Sequence, residues 1–282
     1  MIPQARQIED LQRFIRRHPR LFVLTGAGIS TASGIPDYRD ANGDWKRPPP
    51  VQYRDFVKSE AVRRRYWARS LIGWQGFARA RPNICHTTLA AWEASGRLSS
   101  LVTQNVDGLH QAAGSRRVID LHGRLDQVVC LQCAARSERE ALQRRLTALN
   151  PRFAELHAAP APDGDADLDL ATFEDFHVPD CPQCGGTLKP DVVFFGETIP
   201  RERVEHAVAA LDTADALLVI GSSLMVYSGF RFCRVAAERG LPMAAITPGR
   251  TRADDLLGLK LGMRFEDAIG ALESATPGPY PG

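Results

Sequence analysis

Leu21-Phe22-Val23-Leu24-Thr25-Gly26-Ala27-Gly28-Ile29-Ser30 decides the fold. Four apolar residues and a threonine run straight into a turn of small residues. The run is too short for a helix and does not alternate, so it reads as a strand buried on both faces of a parallel sheet. The same pattern recurs at 101–103, 118–121, 192–195, 216–220 and 243–246. Helical stretches, among them 202–211 and 230–238, alternate with these runs. The alternation predicts an α/β fold, a doubly wound Rossmann-like parallel sheet.

Two stretches break the rhythm. Residues 41–81 hold Pro48-Pro49-Pro50 and then an arginine-rich helical segment, and residues 126–189 hold Cys130-Leu131-Gln132-Cys133 and Cys181-Pro182-Gln183-Cys184. The expected organisation is a discontinuous sheet domain (1–40, 82–125 and 190–275), a helical module (41–81), a cysteine module with a long insert (126–189) and a disordered tail (276–282). The two inserted modules together form a smaller lobe. Ligands of doubly wound folds bind beyond the carboxyl ends of the strands, so a lobe placed there makes a cleft.

The chain has 282 residues, 44% hydrophobic and 24% charged, which suits one large domain with a satellite. A formal charge of +2 gives no global electrostatic argument for nucleic acid or membrane as partner. No apolar run approaches the ~20 residues a membrane helix needs. The start sets Ile8, Leu11, Phe14 and Ile15 among arginines, Glu9 and Asp10, an amphipathic surface helix rather than a secretory signal. A cytoplasmic protein is the simplest expectation.

Two CxxC pairs supply four thiolates, Cys130, Cys133, Cys181 and Cys184, enough to close a tetrahedral zinc site with no position left for water or substrate. Such a zinc is structural. Metal-bound thiolates point to a reducing compartment rather than a disulfide framework. The chemistry belongs elsewhere. The turn at Gly26-Ala27-Gly28 lets backbone N–H groups approach a pyrophosphate. Yet Thr31 stands where a third glycine of a dehydrogenase fingerprint would fall, and no acidic residue ends a second strand. Two further strand ends, Thr103-Gln104-Asn105-Val106-Asp107-Gly108 and Gly221-Ser222-Ser223, carry the small and amide residues that a dinucleotide with many hydroxyls requires.

The segments GAGIStasGIPDYR, TQNVDGLH, LHG, the two CxxC pairs, KPDVVFFGE and GSS, in this order, resemble the sirtuins, the NAD-dependent protein lysine deacylases. RRRYWARSLIGW, TQNVDGLHQAAGSRR and CGGTLKPDVVFFGE resemble class II, the group of mitochondrial sirtuin four and its bacterial relatives. The resemblance implies NAD as co-substrate, one structural zinc ion and acyl-lysine proteins or peptides as partners. It implies that Gly26, Ala27, Gly28 and Ser30 cradle phosphates and that Ile35, Asn105, Val106 and Asp107 form the nicotinamide pocket. Gln104 would hold the nicotinamide ribose, and Asp37, Tyr38 and Arg39 lie on the loop that covers the cofactor. Gly221, Ser222 and Ser223 would contact phosphate and adenosine ribose, with Thr247, Pro248, Gly249 and Phe265 on the adenosine side. The sequence departs from the family at Thr247, where asparagine is common, at Tyr38 and Asp40, and at Tyr227-Ser228-Gly229, where many relatives have proline.

The reaction implied is attack of the acyl-lysine amide oxygen on the nicotinamide ribose, with His122 as general base and Asn105 beside it. Histidine suits that task because its ordinary pKa of about 6.5 leaves it neutral near pH 7. Gly123 is expected to let the substrate come close. Val193, Phe194, Phe195 and Gly196 belong to a substrate loop to which an extended peptide could add as a strand. Tyr66 and Arg69, at i and i+3 on one helix face, resemble a pair that holds acidic acyl groups; the insert at 144–180 could reach the acyl channel. Mono-ADP-ribosyl transfer is the alternative reaction. A non-catalytic binding module would not need His122, Asn105 and Asp107 together.

Overall fold

The sheet follows from which segments are apolar without a break. A computed structural model describes residues 4–47, 50–158, 161, 163–166, 168 and 172–274. Its strands are β1 (Leu21–Thr25), β2 (Leu98–Thr103), β3 (Val118–Asp120), β4 (Gly123–Cys130), β5 (Arg136–Glu138), β6 (Leu188–Val192), β7 (Ala216–Ile220), β8 (Met243–Ile246) and β9 (Leu259–Leu261). Six of them pair in the order β3-β2-β1-β7-β8-β9, every pair parallel. The remaining three form an antiparallel sheet ordered β5-β4-β6.

All residues of β1, β7 and β8 are buried. Alternate side chains feed opposite faces of the sheet. Val23, Leu218 and Ala244 join Leu11 and Ile15 of the first helix, Gln4–Arg17, on one side. Phe22, Leu24, Leu217 and Val219 meet Leu211 of the helix Arg201–Asp212 and Phe232 of the helix Tyr227–Glu238 on the other. The first helix therefore lies on the surface with Leu11 fully buried beneath it. Among the described residues no helix is long and apolar enough to cross a membrane.

The two sequence stretches that interrupt the sheet fold together. Phe56, Trp67 and Leu71 from the first pack with Val128, Leu142, Leu146 and Leu188 from the second in one core. Trp67 is fully buried and its indole N–H donates to the Leu188 carbonyl at 3.3 Å. Truncating a buried tryptophan costs about 3–5 kcal/mol, so the helical module and the cysteine module stand or fall together. Arg139 is sandwiched between Trp67 and Trp74, at 5.4 and 5.1 Å from their ring centroids. Strands β4 and β6 run across the boundaries expected at 125/126 and 189/190, with Gly123 opposite Val192.

One expected strand is not there. The run 192–195 gives only Val192 to a strand, and that strand belongs to the small antiparallel sheet. Phe195 makes an isolated bridge to Gln52. Its side chain and that of Phe194 are instead spent on ring contacts, Phe194 with Phe56 and Tyr66, Phe195 with Trp45. Strand β9, which carries Lys260 between two leucines, was not marked by any apolar run. The tail expected to be disordered, 276–282, lies outside the described residues, as do Pro48 and Pro49.

Candidate active site

The strand order reverses between β1 and β7, and the loops after these two strands interlock. The Gly26 N–H donates to the Ile220 carbonyl at 3.1 Å and the Gly28 N–H to the Gly221 carbonyl at 2.8 Å. A Cβ on Gly28 would stand 2.9 Å from the Gly221 oxygen, and one on Gly26 would stand 2.7 Å from Ser222 Cβ. The glycines are thus demanded first by the approach of two backbones. The bare turn they leave opens on a cavity of about 780 Å³ between sheet and small lobe, the size of a ligand site.

Every residue expected at a cofactor lies on this cavity: Gly26, Ala27, Gly28, Ser30, Ile35, Asp37, Tyr38, Arg39, Gln104, Asn105, Val106, Asp107, Gly221, Ser222, Ser223, Thr247, Pro248, Gly249 and Phe265. His122, Tyr66, Val193, Phe194, Phe195 and Gly196 line it too. Arg69 is not on the wall. Its Nε lies 2.9 Å from Asp165 Oδ2 and 3.0 Å from Oδ1.

A hydrogen-bond chain runs along the floor. Asn105 Nδ2 donates to Ser30 Oγ at 3.0 Å, and the Ser30 hydroxyl donates to Asp107 Oδ2 at 2.7 Å. The other Asp107 oxygen accepts from the Leu109 N–H at 2.9 Å. Gln104 Nε2 donates to Ser222 Oγ at 2.7 Å, linking the ends of β2 and β7. Above the floor, the Arg39 guanidinium donates to the Gly43 carbonyl at 2.7 Å and lies 4.0 Å over the Trp45 ring. Trp45 in turn sits against Phe195, closing the covering loop onto the 193–196 loop.

His122 is half-buried just past the end of β3. Its Nδ1 lies 2.8 Å from the Gln104 carbonyl, which can only accept, so Nδ1 carries the proton. Nε2 keeps its lone pair and accepts from the Ser228 hydroxyl at 2.8 Å. Burial pushes the His122 pKa down to about 4, against the backbone hydrogen bond, with Arg203 and Arg231 adding to the drop. The ring is neutral at pH 7. Gly123 has a different task from the one expected. Its φ is 81°, and a Cβ there would meet the Asp191 carbonyl at 2.1 Å, so the glycine lets β4 lie against the paired strand β6 at that point.

The 193–196 loop is stapled from below. Lys189, almost fully buried, pairs with Glu197 at 3.1 Å, and Glu197 accepts from the Phe194 N–H at 2.8 Å. Sequence reasoning missed this staple, Ser228 as partner of His122, and Asp163, which stands on the cavity wall. The departure at Tyr227-Ser228-Gly229 was the only available signal for Ser228. His86 and His110 form a buried pair with ring centroids 4.9 Å apart and do not line the cavity.

The four cysteines meet. Their sulfurs all lie within 4.8 Å of one another, with Cys130–Cys184 at 3.5 Å and Cys133–Cys181 at 3.8 Å. Tetrahedral zinc with Zn–S bonds of about 2.3 Å puts its sulfurs about 3.8 Å apart. The two knuckles fold alike: Ala134 N–H returns to the Cys130 carbonyl at 3.0 Å and Gly185 N–H to the Cys181 carbonyl at 2.9 Å. The donor set fits zinc and is closed to substrate.

Fold and cavity define a two-lobed α/β protein with a nucleotide-type site at the switch point of its sheet and a cysteine-braced satellite. The model of the Sir2 family matches residues 26–228. An NAD-dependent protein deacetylase of Xanthomonas campestris pv. campestris (strain 8004) is 62% identical over 263 residues, covering 93% of this chain and 90% of its own. The NAD-dependent protein lipoamidase sirtuin-4, mitochondrial, of Homo sapiens is 51% identical, covering 95% and 86%. A solved Sir2–p53 peptide–NAD+ complex superposes with a TM-score of 0.76 at 27% identity, covering 95% of this chain and 98% of its own. The chain belongs to the Sir2 family.

Proposed function

We propose that the chain is an NAD-dependent protein lysine deacylase, which transfers the acyl group of a modified lysine to the ADP-ribose part of NAD and releases nicotinamide. The carrying observation is His122, neutral, with its proton fixed on Nδ1 and its lone pair on the cavity wall. It stands where the glycine loops, the amide-rich end of β2 and the 193–196 loop converge. The bacterial relatives are named NAD-dependent protein deacetylases.

NAD, when bound, supplies the anomeric carbon that receives the acyl oxygen and the nicotinamide that leaves. The chain's own residues do the rest. Gly26, Ala27 and Gly28 leave a turn without bulky side chains where phosphate can approach, although the Gly26 and Gly28 N–H groups are held by the Ile220 and Gly221 carbonyls. Asp107, oriented by Ser30 and Leu109, accepts from an amide NH2, and Asn105 is fixed beside it by Ser30. His122 Nε2 takes a proton from a hydroxyl that displaces Ser228, so it acts as general base. The 193–196 loop, held by Lys189 and Glu197, receives the peptide main chain. We take 41–81 and 126–189 as the small lobe and its zinc as a brace that takes no part in any step.

Incubation with NAD and an acetyl-lysine peptide tests this. Free lysine peptide, nicotinamide and O-acetyl-ADP-ribose are expected in equal amounts by mass spectrometry. Nicotinamide release with the acetyl group left on the peptide and ADP-ribose attached to protein would favour the transferase instead.

A further inference from the structure

We propose that the adenosine end of the cavity takes a 2′-phosphate through Arg250, so that NADP serves the chain as a co-substrate alongside NAD. The inference rests on the deacylase reading and extends it to the choice of dinucleotide.

The sheet lays the cavity out from end to end. Residues beyond the strand ends line it in the order His122 (β3), Asp107 (β2), Gly28 (β1), Ser222 (β7), Thr247 (β8) and Arg264 (β9). With the nicotinamide at Asp107 and the pyrophosphate at the switch between β1 and β7, the adenosine ribose lies over the end of β8. In doubly wound dinucleotide sites an acid beside that ribose accepts from its 2′-hydroxyl and suits NAD, whereas an arginine there accommodates the 2′-phosphate of NADP. Strand β8 runs into Thr247-Pro248-Gly249-Arg250, which contains no acid.

Two groups on this wall are unused. Arg250 is exposed to the cavity, and its guanidinium makes no ion pair or hydrogen bond among the described residues. Thr247 is only 7% exposed, yet its hydroxyl has no hydrogen-bond partner among the described residues. A free cation beside a buried, idle hydroxyl suits an oxyanion. A ribose hydroxyl needs no cation. The carboxylates of the adjoining loops are committed elsewhere. Asp254 takes Lys260 on both oxygens at 2.8 Å. Asp40 Oδ1 accepts the N–H groups of Asn42 and Asp44 at 2.9 Å each, and Asp37 pairs with Lys46. Arg264 adds a second cation at this end, held only loosely at 3.7 Å from Glu266.

The segment that carries Arg250 is seated. The Arg250 N–H donates to the Ala41 carbonyl at 2.9 Å, and a Cβ on Gly249 would stand 2.9 Å from that same oxygen. The Arg252 N–H donates to the Ser223 carbonyl at 2.9 Å. The loop after β8 is thus clamped between the covering loop and the end of β7, and the guanidinium leaves a fixed backbone. The added phosphate sits on the ribose that does not react. The bonds made and broken are those of the NAD reaction: acyl-lysine, NADP and water give lysine, nicotinamide and the 2′-phosphate of O-acyl-ADP-ribose.

Calorimetry with ADP-ribose and with its adenosine 2′-phosphate tests the site without turnover. Wild type is expected to bind the phosphorylated ligand at least as tightly as the plain one. Arg250→Ala should weaken the phosphorylated ligand about tenfold more than ADP-ribose, with Arg250→Lys recovering part of the loss and added salt narrowing the difference. With an acetyl-lysine peptide, NADP should yield an O-acetyl product heavier by one phosphate, which traces of NAD cannot give. Tenfold weaker binding of the phosphorylated ligand by wild type, or an equal loss of both ligands in Arg250→Ala, overturns the proposal. Turnover with NAD but no phosphorylated product from NADP also overturns it and leaves the deacylase reading standing. Tight, Arg250-dependent binding of the phosphorylated ligand with no turnover of either dinucleotide would sustain the phosphate site while sinking the deacylase reading.

Discussion

His122 owes its readiness as a base to what surrounds it. Removal from water outweighs its hydrogen bond to the Gln104 carbonyl and holds the pKa at about 4. The acid limb of kcat/KM is therefore expected near pH 4–5, well below the 6.5 of free histidine, for as long as the fold survives. His122→Ala should keep the fold by circular dichroism and lose about 10²–10⁴ in turnover; unchanged turnover would remove the base. The fold itself limits the acid range. His86 and His110 are depressed to about 4 and about 3, by burial first in each case. For these three histidines the unfolded chain binds protons below pH 6.5 that the folded one refuses until pH 4 or lower. Stability is thus full above 6.5 and falls as the pH drops through that window. Chemical denaturation at pH 7.5 and 5.0 should give a lower midpoint at 5.0, with carboxylates of ordinary pKa contributing little above pH 5.

Among the elements, glycine carries most of the information, and it was only partly legible. Gly26 and Gly28 stood out because they follow an apolar strand, and the turn's role as a bare cradle was readable from that order. Gly73 did not, since a helical glycine has no sequence signal for what touches it. Its effect runs against propensity. Gly→Ala in an exposed helix interior stabilises by about 1 kcal/mol. Gly73→Ala is expected instead to push the backbone at Gly164 and Asp165 off its seat, because backbone cannot yield as a side-chain tip can. Limited proteolysis should then cut within the insert faster than in wild type, and an unchanged cleavage rate would deny that this backbone is docked there. The misread run at 192–195 has a similar cause. Its apolar side chains fit a buried strand, but Phe194 and Phe195 find aromatic partners on the small lobe that no local pattern announces.

At the level of the whole molecule, the chain leaves its main sheet after β3, builds a second core and returns at β7. This explains what sequence could and could not give. Residues at strand ends converge by topology, so the ends of β1, β2 and β7 located the cavity without coordinates. Asp163, Ser228 and the Lys189–Glu197 staple owe their roles to tertiary placement that no local pattern marks, and only that placement exposed them. The same architecture makes the metal's influence long-ranged. Cys130 and Cys181 are buried in the core that also holds Trp67, Phe56 and Tyr66. Losing the zinc would loosen the helix that carries Tyr66 and Arg69 and, with it, the acyl end of the cavity. Cys181→Ser, or complete chelation, is expected to split thermal unfolding into two transitions, the lower one belonging to the small lobe. Trp67 and Trp74 should then report solvent exposure by fluorescence at temperatures where the far-ultraviolet signal of the large sheet persists. A single, unshifted transition after verified metal removal would mean that hydrophobic packing alone holds the lobe, and that the four thiolates are dispensable to it.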